Sequence, residues 1–142
     1  MRRDRIIYGL LTFLMGVSLI ACRDRSPEEL ASTIAASAEL THIDQICTEL
    51  AKPSTFRQIK KGISGNSAKT IIYYQYVSEM SFTAVRDFYR GQAIGKEYEL
   101  VNEDFREPEG FISILTIRRN DIRIVLEHRP PSGIFSIDCI KP

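Results

Sequence analysis

Histidine is almost missing from this chain: His42 and His128 are the only two in 142 residues. That shortage limits acid–base chemistry near neutral pH and metal binding, because a zinc site takes three or four ligands. Glu39 and His42 stand at i, i+3, a spacing that can share a metal on one helix face. Two ligands do not complete such a site, and a solvated helix histidine is the plainer reading. His128 precedes Arg129 and Pro130 at a strand end and reads as a surface residue. Gly-x-Ser-x-Gly, a Walker-type loop and His-Glu-x-x-His are all missing, so no nucleophile–base pair or phosphate cradle is expected. Nor is any cofactor or metal. A charge excess of one sign is lacking as well: 19 basic residues face 18 acidic ones. With no basic field, nucleic acid is not an expected partner. Internal repeats and low-complexity stretches are also absent.

The apolar run Ile6 to Ala21 has sixteen residues, short of the ~20 that a membrane-spanning helix needs. Arg2, Arg3 and Arg5 precede it, and a charged, proline-containing stretch, Arg23 to Glu29, follows. A basic region, an apolar region and small residues before a cut read as a secretory signal, with a retained membrane anchor as the alternative. The run closes on Leu19-Ile20-Ala21-Cys22, which resembles a bacterial lipobox. The resemblance covers only the first two dozen residues, and no family is recognised for the remainder. It implies cleavage before a diacylglyceryl-modified Cys22, whose acyl chains then hold the protein at a membrane. Position 23 is arginine and not aspartate. By resemblance to sorting in enteric bacteria, this points to the outer membrane facing the periplasm over the inner membrane. The expected organisation is a signal peptide over 1–21, a tether over 22–27 and one globular domain over 28–142. Removing residues 1–21 takes away three arginines and one aspartate, leaving 16 basic against 17 acidic residues, a net of −1. The roughly 120 residues that remain are enough for one real core.

Once Cys22 carries lipid, two of the three cysteines are left, Cys47 and Cys139. An even pair in an exported chain favours a disulfide, with two buried free thiols as the alternative. The bridge would close a loop of about ninety residues and contribute up to ~4.6 kcal/mol in the chain-entropy model. With Cys22 acylated and the others paired, no thiol serves as a nucleophile.

Ser26-Pro27-Glu28-Glu29 is a helix start: serine at the N-cap, proline at N1, glutamate at N3. The helix runs towards Lys52, where Pro53 stops it. Leu30, Ile34, Ala38, Ile43, Ile46, Cys47 and Leu50 recur on one face. Thr41-His42-Ile43-Asp44 can form a second capping box, so a break or kink is expected near Thr41. Residues 55–63 alternate weakly and carry Arg57, Lys60 and Lys61, which suits an edge strand guarded by lysine. After the Ser64-Gly65-Asn66-Ser67 turn, Thr70 to Val77 is the clearest strand, rich in β-branched and aromatic residues. Ser81 caps a second helix with Phe82, Val85, Phe88 and Tyr89 on its apolar face, ending near Gly91 to Gly95. Lys96 to Val101 reads as a strand and Asn102 to Gly110 as an acidic loop. Phe111 to Arg118 and Ile122 to Glu127 form a hairpin around Asn120-Asp121. After Pro130-Pro131-Ser132-Gly133, Ile134 to Ile140 is the last strand, with Phe135, Ile137 and Cys139 on one face. The expected class is α+β: an antiparallel sheet of about five to six strands with two helices packed on one face.

Glu97, Glu99, Glu103, Asp104, Glu107 and Glu109 are numerous enough that two could flank a glycosidic bond, but a solvated acidic stretch is the ordinary outcome. The most distinctive cluster is aromatic. Tyr74 and Tyr76 point one way along their strand and Tyr73 the other. With Tyr89 and Tyr98 they are candidates for a binding surface with hydroxyls at its rim; equally, they can form the helix–sheet core. The function these features suggest is a lipid-anchored, non-catalytic envelope protein that binds a protein partner as an accessory subunit or inhibitor. The alternative is a module holding an apolar small molecule or lipid between helix and sheet.

Overall fold

The computed structural model describes residues 24–92, 97–104 and 112–142. Helix α1 (Pro27–Ala35) starts as its capping box dictates: Ser26 accepts from the Glu29 amide, and Glu29 accepts from the Ser26 amide. The expected long helix divides earlier than Thr41. Ala36 closes α1, and Ser37 caps α2 (Ala38–Glu49) by accepting from the Leu40 amide. The Thr41 hydroxyl donates back across the break to the Ile34 carbonyl at 3.0 Å, so its hydroxyl fastens the kink without capping a helix. The structure therefore has three helices where two were expected.

Strands β1 (Arg57–Asn66) and β2 (Lys69–Val77) form a hairpin, and α3 (Phe82–Gln92) follows, its amide ladder opened by a Ser81 hydroxyl accepting from Ala84. Strands β3 (Glu99–Asp104), β4 (Ser113–Arg119), β5 (Ile122–His128) and β6 (Ile134–Lys141) then meander back to pair with β2. The result is one antiparallel six-stranded sheet in the order β1-β2-β6-β5-β4-β3, an α+β fold. Strand β3 lies later than expected, because Asn102, Glu103 and Asp104 pair with β4 and do not form a loop. Residues 105–110 of the expected acidic loop, with Glu107 and Glu109, lie outside the described residues, as do Phe111 at the start of the next expected strand, Lys96 and the lipobox with Cys22.

Period-two alternation sorts the sheet into two faces. Ile72, Tyr74, Tyr76, Leu115, Ile117, Ile122, Ile124, Leu126, Phe135, Ile137 and Cys139 point to one of them and are buried. Ile43, Ile46, Cys47 and Leu50 of α2 and Phe82, Val85 and Tyr89 of α3 are buried with them in a single core cluster. Leu30 and Ile34 of α1 belong to the same cluster, whereas Ala38 is exposed. Cys47 and Cys139, both fully buried, are joined in a disulfide with Cα atoms 6.2 Å apart, which fastens α2 to the central strand β6.

The alternation expected for the first strand is interrupted by an irregularity between Gln58 and Lys60. Ile59 is extruded there and is half exposed, while Lys61 and Ile63 keep the core-side register. Gly62 follows two residues after Lys60. The Tyr73 ring lies across its backbone from the facing position of β2, where any Cβ would run into the ring.

Candidate binding surface

The loop between β5 and β6 organises one end of the sheet. Ser132 folds it by donating both its amide and its hydroxyl to the Arg129 carbonyl, at 3.2 and 2.7 Å. Pro130–Pro131 is cis, and Gly133 takes φ +63°, a conformation that favours glycine. The Gly133 carbonyl accepts from the Ser78 amide at 3.0 Å, tying the loop to the end of β2.

On one side of this loop lies an open cleft of about 920 Å³ that includes Thr55, Arg57, Ser78, Glu79 and His128 in its walls. The Ser78 and Thr55 hydroxyls are 3.0 Å apart, and Ser78 Oγ also accepts from the Met80 amide. His128, expected at the surface, is half buried in the wall of this cleft. Its ring is stacked on Phe135 at 4.3 Å and lies near-parallel to Phe82 at 6.5 Å, and its Nδ1 is buried with no hydrogen-bond partner. The cause is register: β5 places His128 directly opposite Phe135 on the core-side face. Burial pushes its pKa below the usual histidine value, so the neutral imidazole is favoured.

On the other side the second sheet face begins. Its residues form cross-strand rows that mix apolar and polar side chains. Gln75, Ser136, Glu127 and Ile114 make one row, Tyr73, Asp138, Val125 and Thr116 the next, and Ile71, Ile140, Arg123 and Arg118 the third. Most of these are half buried, as expected of side chains that shield one another on a surface reached by solvent. A depression of about 450 Å³ includes Gln75, Glu127, Ser136 and Asp138. Ser136 donates to Asp138 at 2.8 Å, and Arg129 pairs with Glu127 at 3.3 Å. Burial is the main influence on Asp138 and raises its pKa; the Glu127 charge adds to the rise, and the Ser136 hydrogen bond opposes it.

The five candidate tyrosines do not form one surface. Tyr74, Tyr76 and Tyr89 are core residues, at 2%, 4% and 1% exposure, which removes them from any open binding face. Tyr74 donates to Asp44 of α2, which also pairs with Lys61 at 2.6 Å. Desolvation first, and then that carboxylate, hold the Tyr74 phenol far above its ordinary pKa; burial alone pushes Tyr76 up to about 12. Tyr98 is half buried, donates to the Ile46 carbonyl at 3.0 Å and carries Arg119 over its ring, 5.2 Å from the centroid. Tyr73 alone lies on the second face, over Gly62. Its companions Gln75, Glu127, Ser136 and Asp138 were not singled out from the sequence, although the burial of Phe135, Ile137 and Cys139 implies that Ser136 and Asp138 point the other way.

Three of the carboxylates considered for glycosidic chemistry are engaged in separate ion pairs: Glu97 with Arg119, Glu99 with Arg118, Glu103 with Arg90. His42 is exposed on α2, and the Glu39 carboxylate beside it accepts from Thr70 and pairs with Lys141. Among the described residues no three histidine, cysteine or acidic side chains group as metal ligands, and no helix is long and apolar enough to cross a membrane. Compared with known proteins, the chain matches no family, no curated protein and no solved structure.

Proposed function

We propose that this chain is a lipid-anchored bacterial envelope protein, held through acylated Cys22 at the outer membrane, whose periplasm-facing domain binds a protein partner through its second sheet face. The observation that carries the binding role is the set of mixed rows on that face. Apolar Ile71, Val125, Ile114 and Tyr73 alternate with hydrogen-bonding Gln75, Ser136 and Thr116, the make-up of an interface whose apolar area is met by polar groups that fix register. The Cys47–Cys139 bridge suits an oxidising compartment and supports the exported location. The reading is of binding and not catalysis, with Asp138 and Glu127 contributing polarity to the face. Space between helices and sheet for an apolar ligand is less well supported, since fully buried Ile43, Ile72, Val85, Leu115 and Ile124 pack into one cluster there.

The test is photo-crosslinking of the anchored protein in cells. A crosslinker at Thr116 or Gln75 gives a discrete adduct of one partner, whereas one at exposed Thr48 on α2 does not. Adducts from Thr48 alone would move the partner to the helical side, and their absence at every position would remove the binding role.

A further inference from the structure

The two edges of the sheet carry opposite charge. Strand β1 reads Arg-Gln-Ile-Lys-Lys-Gly-Ile-Ser-Gly-Asn, with three cations and no anion; β3 reads Glu-Leu-Val-Asn-Glu-Asp, with three anions and no cation. Both are partly neutralised from within the fold. Lys61 pairs with Asp44 and Lys60 with Asp24, while Glu103 and Glu99 hold Arg90 and Arg118. Arg57 is exposed and makes no ion pair among the described residues, and Lys60 remains 42% exposed beside its partner.

The chain also enters the domain alongside β1. Asp24, the first described residue, meets Lys60 at 3.1 Å, and the Ser26 cap starts α1 two residues later. Cys22 lies two residues before Asp24. At ~3.6 Å per extended residue, its Cα is at most about 7 Å from that of Asp24. Ile59, extruded by the irregularity in β1, is 50% exposed; Val101 on β3 is 49% exposed, so charge and the position of the tether, not apolar exposure, distinguish the two edges. An acyl chain on Cys22 would therefore enter the bilayer on the side of the domain where a cationic edge also presents an isoleucine. Glu28 and Glu29 lie in the first turn of α1 near the same entry, and the Ser26 amide engages Glu29, so the strand edge suits an anionic surface better than the helix does.

We infer that the β1 edge lies against the bilayer that holds Cys22, with Arg57 and Lys60 at anionic lipid headgroups, Ile59 at the interface and the acidic β3 edge turned away. This rests on the lipid-anchor reading and adds an orientation to it. The mixed sheet face then stands upright from the membrane and stays open to a partner. Juxtamembrane cations are drawn to anionic lipid and lose that attraction over a Debye length, so the short tether matters as much as the charge.

The test uses the chain from Cys22 onward, which contains every described residue. A maleimide phospholipid is coupled to Cys22, the one thiol outside the disulfide, in vesicles of phosphatidylcholine with phosphatidylglycerol. Hydrogen exchange of Gln58 to Lys61 is expected to slow several-fold relative to the uncoupled domain, while Glu99 to Asp104 keeps its rate. Arg57→Glu with Lys60→Glu, checked for an unchanged circular dichroism spectrum, is expected to abolish that protection. Equal slowing at both edges, or no slowing at β1, would overturn the orientation. Because the lipid is attached chemically, the result does not depend on whether cells acylate Cys22, which the mass of membrane-derived protein reads separately.

Discussion

Opening the Cys47–Cys139 bond is the most informative perturbation of the fold. The bond spans 92 positions in sequence and ties α2 to the middle of the sheet. In the chain-entropy model a loop of that length restricts the denatured chain by about 4.6 kcal/mol, and native cross-links commonly deliver 2–4 kcal/mol. Both cysteines are fully buried, and in the chain-entropy model the loss on reduction comes chiefly from the freed denatured chain. At a urea dependence of ~2 kcal/mol per molar for a domain of this size, the unfolding midpoint should fall by about 1–2 M on reduction. Equilibrium unfolding with and without dithiothreitol, followed by circular dichroism, measures this directly. A mutant cycle sharpens the test. Cys47→Ala, Cys139→Ala and the double variant should all cost about the same, because either single change already breaks the bond. Additive costs, or identical midpoints in oxidised and reduced protein, would refute the reasoning.

Other predictions concern single positions. His128 is held neutral by burial, so its folded pKa lies below the unfolded one; the stability it leaves intact above ~6.5 is lost as pH falls through the folded value. His128→Phe, which keeps a ring between Phe82 and Phe135, should flatten the decline in stability between pH 7 and 5, as followed by thermal melts. Asp138 has the opposite sign: its raised pKa favours the folded state at low pH, and that advantage disappears as pH rises through the folded value. Asp138→Asn should therefore stabilise the domain at pH 7, with the gain vanishing below the ordinary aspartate range, and a gain independent of pH would contradict this. Gly62→Ala meets the outer end of the half-buried Tyr73 ring, which can swing aside, so it should cost at most about 1 kcal/mol, and Tyr73→Ala in the same chain should remove that cost in urea midpoints.

The class of fold was legible because several signals agreed. Thr70 to Val77, Ile122 to Glu127 and Ile134 to Ile140 are β-branched and aromatic runs between turn residues, and each became a strand within a residue or two of its expected ends. Cys47 and Cys139 were readable as core-facing because helical and strand periodicity each placed them on an apolar side. The helix break was misplaced because Ser37 lacks an acidic residue at N3, while Thr41-His42-Ile43-Asp44 imitates a capping box; the Thr41 hydroxyl instead joins the Ser37 amide on the Ile34 carbonyl. Strand β3 was cut short because acidity suggests a loop, yet Arg90 of α3 meets Glu103 and allows the strand to continue.

The candidate site was far less legible. A tyrosine-rich strand gives the same pattern whether its rings are buried or displayed, and only the cluster formed with residues of α2 and α3 decided that Tyr74, Tyr76 and Tyr89 are core. His128 looked superficial beside Arg129 and Pro130 because strand pairing with Phe135, seven positions away, is a matter of register. The mixed rows of the second face likewise exist only once β2, β6, β5 and β4 are placed side by side, an order that puts the last strand between the second and the fifth.

Intact mass spectrometry of protein extracted from cell membranes puts the most at risk. The expected chain begins at Cys22, carries the added mass of acyl groups there, and gains two hydrogens on reduction as Cys47 and Cys139 open. A full-length chain that retains Met1, has no acyl mass and leaves both Cys47 and Cys139 free to alkylate would contradict it.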